Sequence, residues 1–93
     1  MKITPKHPEF YLRHKDKHIS SYGIRGPIVG YLITKEGTTY LLLEMNTPNT
    51  SGENIIDFAE KRKMQLIDYH GNVNKGYFFV CETDFLYKNT FVI

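Results

Sequence analysis

Apolar positions along this chain come in short runs separated by turn residues, a pattern typical of β-strands. Two such runs, residues 28–34 and 38–45, flank the segment Lys35-Glu36-Gly37. A short connection with a glycine between two β-prone runs predicts a β-hairpin. The second run is apolar at successive positions, so we expect its strand to be covered on both faces of the sheet.

One helix is predicted over residues 51–64. Thr50 and Glu53 have the spacing of a capping box, in which two side chains satisfy free backbone N–H groups at the start of a helix. Acidic residues come early in the segment and basic residues come late, which is the order that the helix dipole favours. The apolar residues between them supply the buried stripe.

Two further β-prone runs, residues 65–70 and 77–82, flank a turn-rich segment and predict a second hairpin. The apolar residues at 85–87 and 91–93 predict a last short strand. The order β-β-α-β-β indicates an α+β fold. We expect a small single domain with one helix on a mostly antiparallel sheet of four to five strands.

Residues 1–27 precede this domain as a lead segment. Two prolines favour an extended backbone in its first part, and residues 9–13 fit either a short strand or one helical turn. Glycines and a proline at 23–27 punctuate its end. The sequence therefore predicts a partly extended lead segment at 1–27 and a single α+β domain at 28–93.

With 93 residues, 41% of them apolar and 24% charged, the chain has the composition of one small globular domain. No apolar run reaches the ~18 residues that a membrane helix needs, so we expect no membrane association. Cys81 is the only cysteine, which excludes an intrachain disulfide. In its aromatic run, Cys81 is expected to be a buried small hydrophobe. A cytoplasmic protein is predicted.

Charge is divided unevenly along the chain. Residues 1–26 hold six bases and two acids, a net charge of +4, whereas residues 27–93 hold six bases and eight acids, a net charge of −2. A basic segment with interleaved aromatic rings is typical of contact with an anionic partner. The candidate binding residues are Lys2, Lys6, Tyr11, Arg13, Lys15, Lys17, Tyr22 and Arg25. The run Lys61-Arg62-Lys63 is a secondary basic patch, which its place at a helix C-terminus already explains.

Two groups of residues suggest chemistry without establishing it. His14 and His18, with His7, have a spacing that could hold a metal ion on one helix face. Asp68 and His70 would share one face of a strand, and with a lead-segment histidine they could form a metal-independent ribonuclease site. We favour solvated surface for both groups. The sequence therefore predicts no catalytic residue, no metal site and no cofactor.

These features together favour a small non-enzymatic protein that binds a macromolecule. A protein partner is the first expectation, with the chain acting as an inhibitor module of phage or mobile-element type on a nucleic-acid-handling target. RNA or DNA held by the basic lead segment is the alternative, and a small metal-independent ribonuclease is the second. A homodimer closed by the apolar segment 91–93 is also consistent with the sequence.

Overall fold

Six strands form one antiparallel sheet in this computed structural model, which describes residues 8–93. The elements in chain order are α1 (Glu9–His14), β1 (His18–Ser21), β2 (Ile24–Ile33), β3 (Thr39–Pro48), α2 (Ile55–Lys61), β4 (Gln65–Ile67), β5 (Lys75–Cys81), a 3₁₀ helix (Glu82–Leu86) and β6 (Thr90–Val92). The predicted α+β class is confirmed. The described chain has one strand and one α-helix more than the sequence indicated.

The long strand β2 organises the sheet, whose order is β5-β3-β2-β1-β6. One edge of β2 pairs with β3 from Ile28 to Ile33, whereas the other edge pairs first with β1 and then with β4. The register of the β2–β3 pairing shifts between Ile28 and Tyr31. Gly30 lies in this bulge with φ 154°, and a Cβ there would stand 3.0 Å from the Cα of Tyr69. Glycine permits both the backbone angle and the close approach.

The first predicted hairpin is confirmed as β2–β3, but the second hairpin is wrong. β4 pairs with β2, and β5 pairs with β3. The physical reason is that the central hairpin offers two open edges, and the two later strands take one edge each. Asp68 has a positive φ of 54° directly after β4, and the chain then reaches β5 on the other side of the hairpin.

The segment described as a lead is part of the sheet from residue 18 onward. Residues 9–14 form α1, which resolves the choice between strand and helix. The boundary predicted after residue 27 does not coincide with the end of an element, because β2 begins at Ile24 and runs through it. Gly26 is required by packing, since a Cβ there would stand 2.3 Å from the carbonyl oxygen of Glu44. This glycine marks a close approach of two strands and not a linker.

Helix α2 is shorter than predicted. Its N-cap is Asn54, whose side-chain oxygen accepts a hydrogen bond from the N–H of Asp57 at 2.9 Å. The capping box expected at Thr50 is therefore wrong, because a better-placed cap four residues later starts the helix. Lys63, with φ 56°, lies just beyond the helix C-terminus.

The sheet has a hydrophobic core on each face. The first core combines Phe10 and Tyr11 of α1 with one set of strand residues and with Phe85 of the 3₁₀ helix. The second core places Ile55 and Ala59 of α2 against the other set. Successive residues of β3 are fully buried in the two cores, which confirms that this strand is covered on both faces.

The sheet curves around the first core. Tyr22 lies in the turn after β1, yet its ring contacts that of Phe78 in β5 with centroids 6.5 Å apart. β1 and β5 are separated by two strands, so a flat sheet would hold them about 14 Å apart. Within residues 8–93, neither α-helix has the length and apolar character needed to cross a membrane.

Candidate interaction surface

The last strand and the residues before it expose large apolar side chains. We call Leu86, Tyr87, Phe91, Val92 and Ile93 the apolar edge. Leu86 is 80% exposed and Ile93 is 61% exposed, with the other three between 43% and 60%. The predicted last strand is confirmed as β6, but most of its apolar side chains face outward and not into a core.

Backbone pairing with β1 fixes the position of the apolar edge. Phe91 pairs with Ser20, and Val92 pairs with Ile19. The Ile93 N–H donates to the carbonyl oxygen of His18 at 3.0 Å, which extends the pairing by one residue. In the part of the chain that the structure describes, β6 is the outermost strand, with no other strand along its free side.

One buried polar contact anchors this strand. Thr90 is buried, and the hydroxyl oxygens of Ser21 and Thr90 lie 2.8 Å apart in a hydrogen bond. Both residues are almost inaccessible to solvent, so this bond holds the start of β6 firmly against β1. The exposed residues that follow are therefore presented from an ordered strand.

Basic side chains surround the apolar edge. Arg25, Ser20 and Phe91 occupy paired positions on three adjacent strands, and directly paired residues point to the same face. Lys17 directly precedes β1, and Lys88 lies just before β6. Among residues 8–93 the ion pairs are Arg13–Glu82 and Arg62–Glu53. The three bases beside the apolar edge have no carboxylate partner in that stretch.

Only some of the predicted lead-segment cations are available to a partner. Lys2 and Lys6 lie outside the described residues. Lys15, Lys17 and Arg25 are exposed as expected. Arg13 donates through Nη2 to Glu82 at 3.1 Å, and both side chains are more than half exposed, so this pair adds little stability.

The two predicted aromatic contacts have different outcomes. Tyr11 is 6% exposed and its ring packs on Tyr31 with centroids 4.4 Å apart, so it cannot stack on a ligand. The binding role predicted for Tyr11 assumed an exposed ring, whereas α1 turns this side chain into the first core. Burial and then the charges of Asp68 and Asp16 raise the pKa of Tyr11. Tyr22 remains half exposed in its turn.

The secondary basic patch is separate from α1. Helix α2 packs on the second core and α1 on the first, so the two helices lie on opposite faces of the sheet. The Arg62 guanidinium lies 3.7 Å from the centroid of the Phe58 ring and donates to Glu53 at 3.0 Å. Lys61 and Lys63 are exposed. The three bases form no continuous surface with Arg13.

The geometry required for the histidine metal site is not formed. α1 ends at His14 and β1 begins at His18, so the two side chains do not share a helix face. His14 Nδ1 lies 3.0 Å from the Phe10 carbonyl oxygen, and the His14 ring stacks on Phe85. His7 lies outside the described residues. No group of three or more potential metal ligands occurs in residues 8–93.

Asp68 and His70 do not project from one strand face. β4 ends before Asp68, whose positive φ breaks the alternation of side chains. The His70 N–H donates to the Val29 carbonyl oxygen at 2.8 Å, and the side chain is exposed. The ribonuclease hypothesis stays an untested prediction.

A tyrosine network closes the loop between β4 and β5. Glu44 accepts hydrogen bonds from the Asn72 N–H at 2.7 Å and from the Tyr77 hydroxyl at 3.3 Å. The Tyr77 hydroxyl also contacts that of Tyr69. Burial, followed by the bond to Tyr69, raises the pKa of Tyr77. These hydroxyls stay protonated at neutral pH and serve as hydrogen-bond donors that hold the loop over the second core.

Cys81 differs from its prediction. The side chain is half-buried, and Sγ lies 3.0 Å from the Thr83 hydroxyl oxygen. Asp84 accepts a hydrogen bond from the Cys81 backbone N–H at 2.9 Å. The physical reason is that Cys81 is both the end of β5 and the N-cap of the 3₁₀ helix, so it faces polar partners.

Comparison of the chain with protein-family models, with curated proteins and with solved structures gave no match. Sequence reasoning had assigned the basic lead segment as the binding surface. The apolar edge was visible in the sequence as the apolar segments 85–87 and 91–93. These segments predict a last short strand, but apolar content does not say how many neighbours cover that strand.

Proposed function

We propose that this chain is a non-enzymatic binding protein, that its partner is another protein, and that the apolar edge is the docking surface. The observation that carries the proposal is the exposure of five large apolar side chains in and next to the edge strand β6 and at the end of the 3₁₀ helix before it. Single exposed apolar residues are ordinary, whereas a contiguous group of them marks an interaction site. Aromatic residues and arginine, which interfaces favour, are present as Tyr87, Phe91 and Arg25.

The groups with the clearest pKa shifts support a structural role over a catalytic one. Burial raises the pKa of Tyr31 to about 12, with smaller contributions from Asp68 and Tyr11. Tyr31 is fully buried, and Tyr77 is held in the loop network. A catalytic acid or base needs a pKa near the working pH and access to substrate. Neither hydroxyl meets both conditions.

An inhibitor that contacts its target through the acidic residues of 27–93 receives less support. The exposed acids of α2, Asp57 and Glu60, lie beside the bases Lys61 and Lys63. Glu53 is already paired with Arg62. This side of the protein is therefore of mixed charge, and we place the partner at the apolar edge instead.

Affinity capture from cells of the source organism tests the proposal. The wild-type chain is compared with the double variant Phe91→Ser/Ile93→Ser and with the control Ile56→Ser. Ile56 is also an exposed apolar residue, at 44%, but lies on α2. We expect the same partner with wild type and control, and at least about a tenfold loss with the double variant.

The folding of each variant is checked by thermal unfolding, because a lost partner is informative only for a folded protein. Equal capture of the partner by the double variant and by wild type would place the docking surface elsewhere. Loss of the partner in the Ile56 variant alone would move the surface to α2.

Nucleic acid is the second candidate, supported by the exposed side chains of Lys15, Lys17 and Arg25. Fluorescence anisotropy with labelled single-stranded RNA and duplex DNA, at low and near-physiological salt, measures this binding. Phosphate contacts give affinity that falls steeply with salt. Tight binding that survives near-physiological salt and is lost on Lys17→Glu/Arg25→Glu would replace a protein by a nucleic acid as the partner.

A further inference from the structure

We infer that β6 accepts an extended segment of the partner as an added strand, and that this segment combines apolar and acidic residues. The inference rests on the proposed protein-binding function and names its mode and the chemistry of the partner. Strand addition to an open sheet edge uses backbone hydrogen bonds for affinity and alternate side chains for specificity. Three observations support it: the direction of backbone groups in β6, the arrangement of its side chains, and the surrounding charge.

The backbone of β6 presents hydrogen-bonding groups away from the sheet. The Ile93 N–H donates to His18, and the Asn89 carbonyl oxygen accepts from the Tyr22 N–H. Successive residues of a strand direct their N–H and C=O groups to opposite sides. Both groups of Val92 and the carbonyl oxygen of Thr90 therefore point to the free side of β6. The Thr90 N–H is turned back toward the Tyr87 carbonyl oxygen at 3.5 Å.

The side chains of β6 provide apolar contacts on both faces of an added strand. Phe91 and Ile93 share one face of the sheet, and Val92 lies on the other. All three are at least 43% exposed. A strand placed along β6 would bring its own side chains beside Phe91 on one face and beside Val92 on the other. Apolar residues at those positions would cover the surface that is now open to water.

The charge around β6 favours a segment of a different protein over a second copy of this chain as the added strand. Lys17, Arg25 and Lys88 lie around the edge, and none has a carboxylate partner within residues 8–93. The acids closest to these bases in sequence are Asp16, Glu82 and Asp84. Glu82 is paired with Arg13, and Asp84 accepts a hydrogen bond from the Cys81 backbone N–H. A second copy would bring the same bases to the interface. A segment that carries Asp or Glu complements them.

Selection of short random peptides, displayed on phage, tests the inference directly. The intact wild-type protein is the target, and Val92→Pro is used for counter-selection. We expect the enriched sequences to combine Asp or Glu with β-branched or aromatic residues. A synthetic copy of the most enriched peptide, added to ¹⁵N-labelled protein, should slow hydrogen exchange of the Val92 amide.

Variants of the protein then distinguish binding through backbone pairing from nonspecific apolar binding of the peptide. Proline at 92 removes the outward N–H and is tolerated on edge strands, so affinity for the peptide should fall by at least about tenfold. Lys17→Glu/Arg25→Glu should lower the affinity by a similar factor without changing the backbone. Lys61→Glu, on the end of α2, is the matched control and should bind as wild type does. If Val92→Pro lowers the unfolding temperature, the charge-reversal pair alone decides the result.

Several results would overturn the inference. They are the recovery of no specific peptide, the enrichment of peptides without acidic residues, and affinity that neither the proline nor the charge reversal lowers. A sedimentation mass that rises to that of a dimer at micromolar concentration would make a second copy the occupant. If cellular capture is lost in Phe91→Ser/Ile93→Ser but kept in Val92→Pro, protein binding stands and strand addition fails.

Discussion

β3 and β6 are both apolar strands, but β3 is buried and β6 is largely exposed. Leu41, Leu42 and Leu43 in β3 are fully buried because a helix covers each face and a strand lies along each edge. Phe91 and Val92 in β6 have a described strand on one side and remain about half exposed. The comparison shows that apolar content alone does not determine burial. Burial depends on how many neighbouring strands and helices the topology places around the strand.

Truncation in β3 should have the largest effect on stability. Leu42→Ala removes a side chain that is fully buried in the second core. We expect a loss of about 3 kcal/mol in the free energy of unfolding, because the lost contacts leave a cavity. Urea denaturation measures this loss. A loss below about 1 kcal/mol would mean that the second core repacks and that the contrast between β3 and β6 is weaker than the burial indicates.

High pH should weaken the same central region. Tyr31 in β2 is fully buried and its pKa is raised to about 12, first by burial. The folded state resists ionisation, whereas the unfolded state ionises near the ordinary pKa of 10. The stabilisation is thus complete below pH 10 and is lost as pH rises toward 12. A shift of this size corresponds to about 3 kcal/mol.

The measurement is urea denaturation across this pH range for wild type and Tyr31→Phe. We expect the variant to lose less stability than wild type does. The Tyr31 hydroxyl has no hydrogen-bond partner among residues 8–93, so at neutral pH the variant should be at least as stable as wild type. A less stable variant at neutral pH would show that the hydroxyl has a partner.

Substitution of Gly26, which lies in β2 between β3 and β1, should have an intermediate effect on stability. A Cβ at Gly26 would lie 2.3 Å from a backbone oxygen of β3, which cannot move as a flexible side chain would. Gly26→Ala should therefore lower the free energy of unfolding by about 2 kcal/mol. Gly37→Ala has open space around it but a positive φ of 92°, so it reports backbone strain alone. Equal effects for the two variants in thermal unfolding would contradict the close approach of β2 to β3.

The smallest effect is expected at the apolar edge. Val92→Ala removes two methyl groups from a side chain that is 43% exposed. We expect the free energy of unfolding to change by no more than about 0.5 kcal/mol. The same substitution should weaken partner binding, which calorimetry with the isolated partner measures. A loss as large as that of Leu42→Ala would mean that β6 is a core strand, and the docking proposal would fail.

Local signals predicted the parts of the fold that depend on local chemistry. Lys35-Glu36-Gly37 identifies the central hairpin because turn geometry requires such residues. The second hairpin could not be predicted correctly, because the sequence does not say which edge of β2–β3 is open when β4 and β5 form. The start of α2 was misplaced because Thr50 and Asn54 are both good caps. In the structure Asn54 is the N-cap, and Ile55, which follows it, is buried in the second core.

The candidate site was predicted only in part for a similar reason. Charge indicated Lys17 and Arg25 correctly as exposed residues. The burial of Tyr11 could not be predicted, because an aromatic residue fits a binding surface and a core equally well, and only the docking of α1 distinguishes them. Phe91 was recognised as part of a strand. Its exposure follows from the position of β6 at the end of the sheet, which depends on contacts with a segment distant in the chain.

The bond between Ser21 and Thr90 joins residues that are 69 positions apart in sequence. Pairing over such a distance requires closure of a long loop, which is slow compared with the formation of a local hairpin. β6 also follows every other described element in the chain, so during synthesis it leaves the ribosome after them. A chain that ends before residue 90 would keep the residues of both cores but would lack β6, the strand to which we propose that the partner binds.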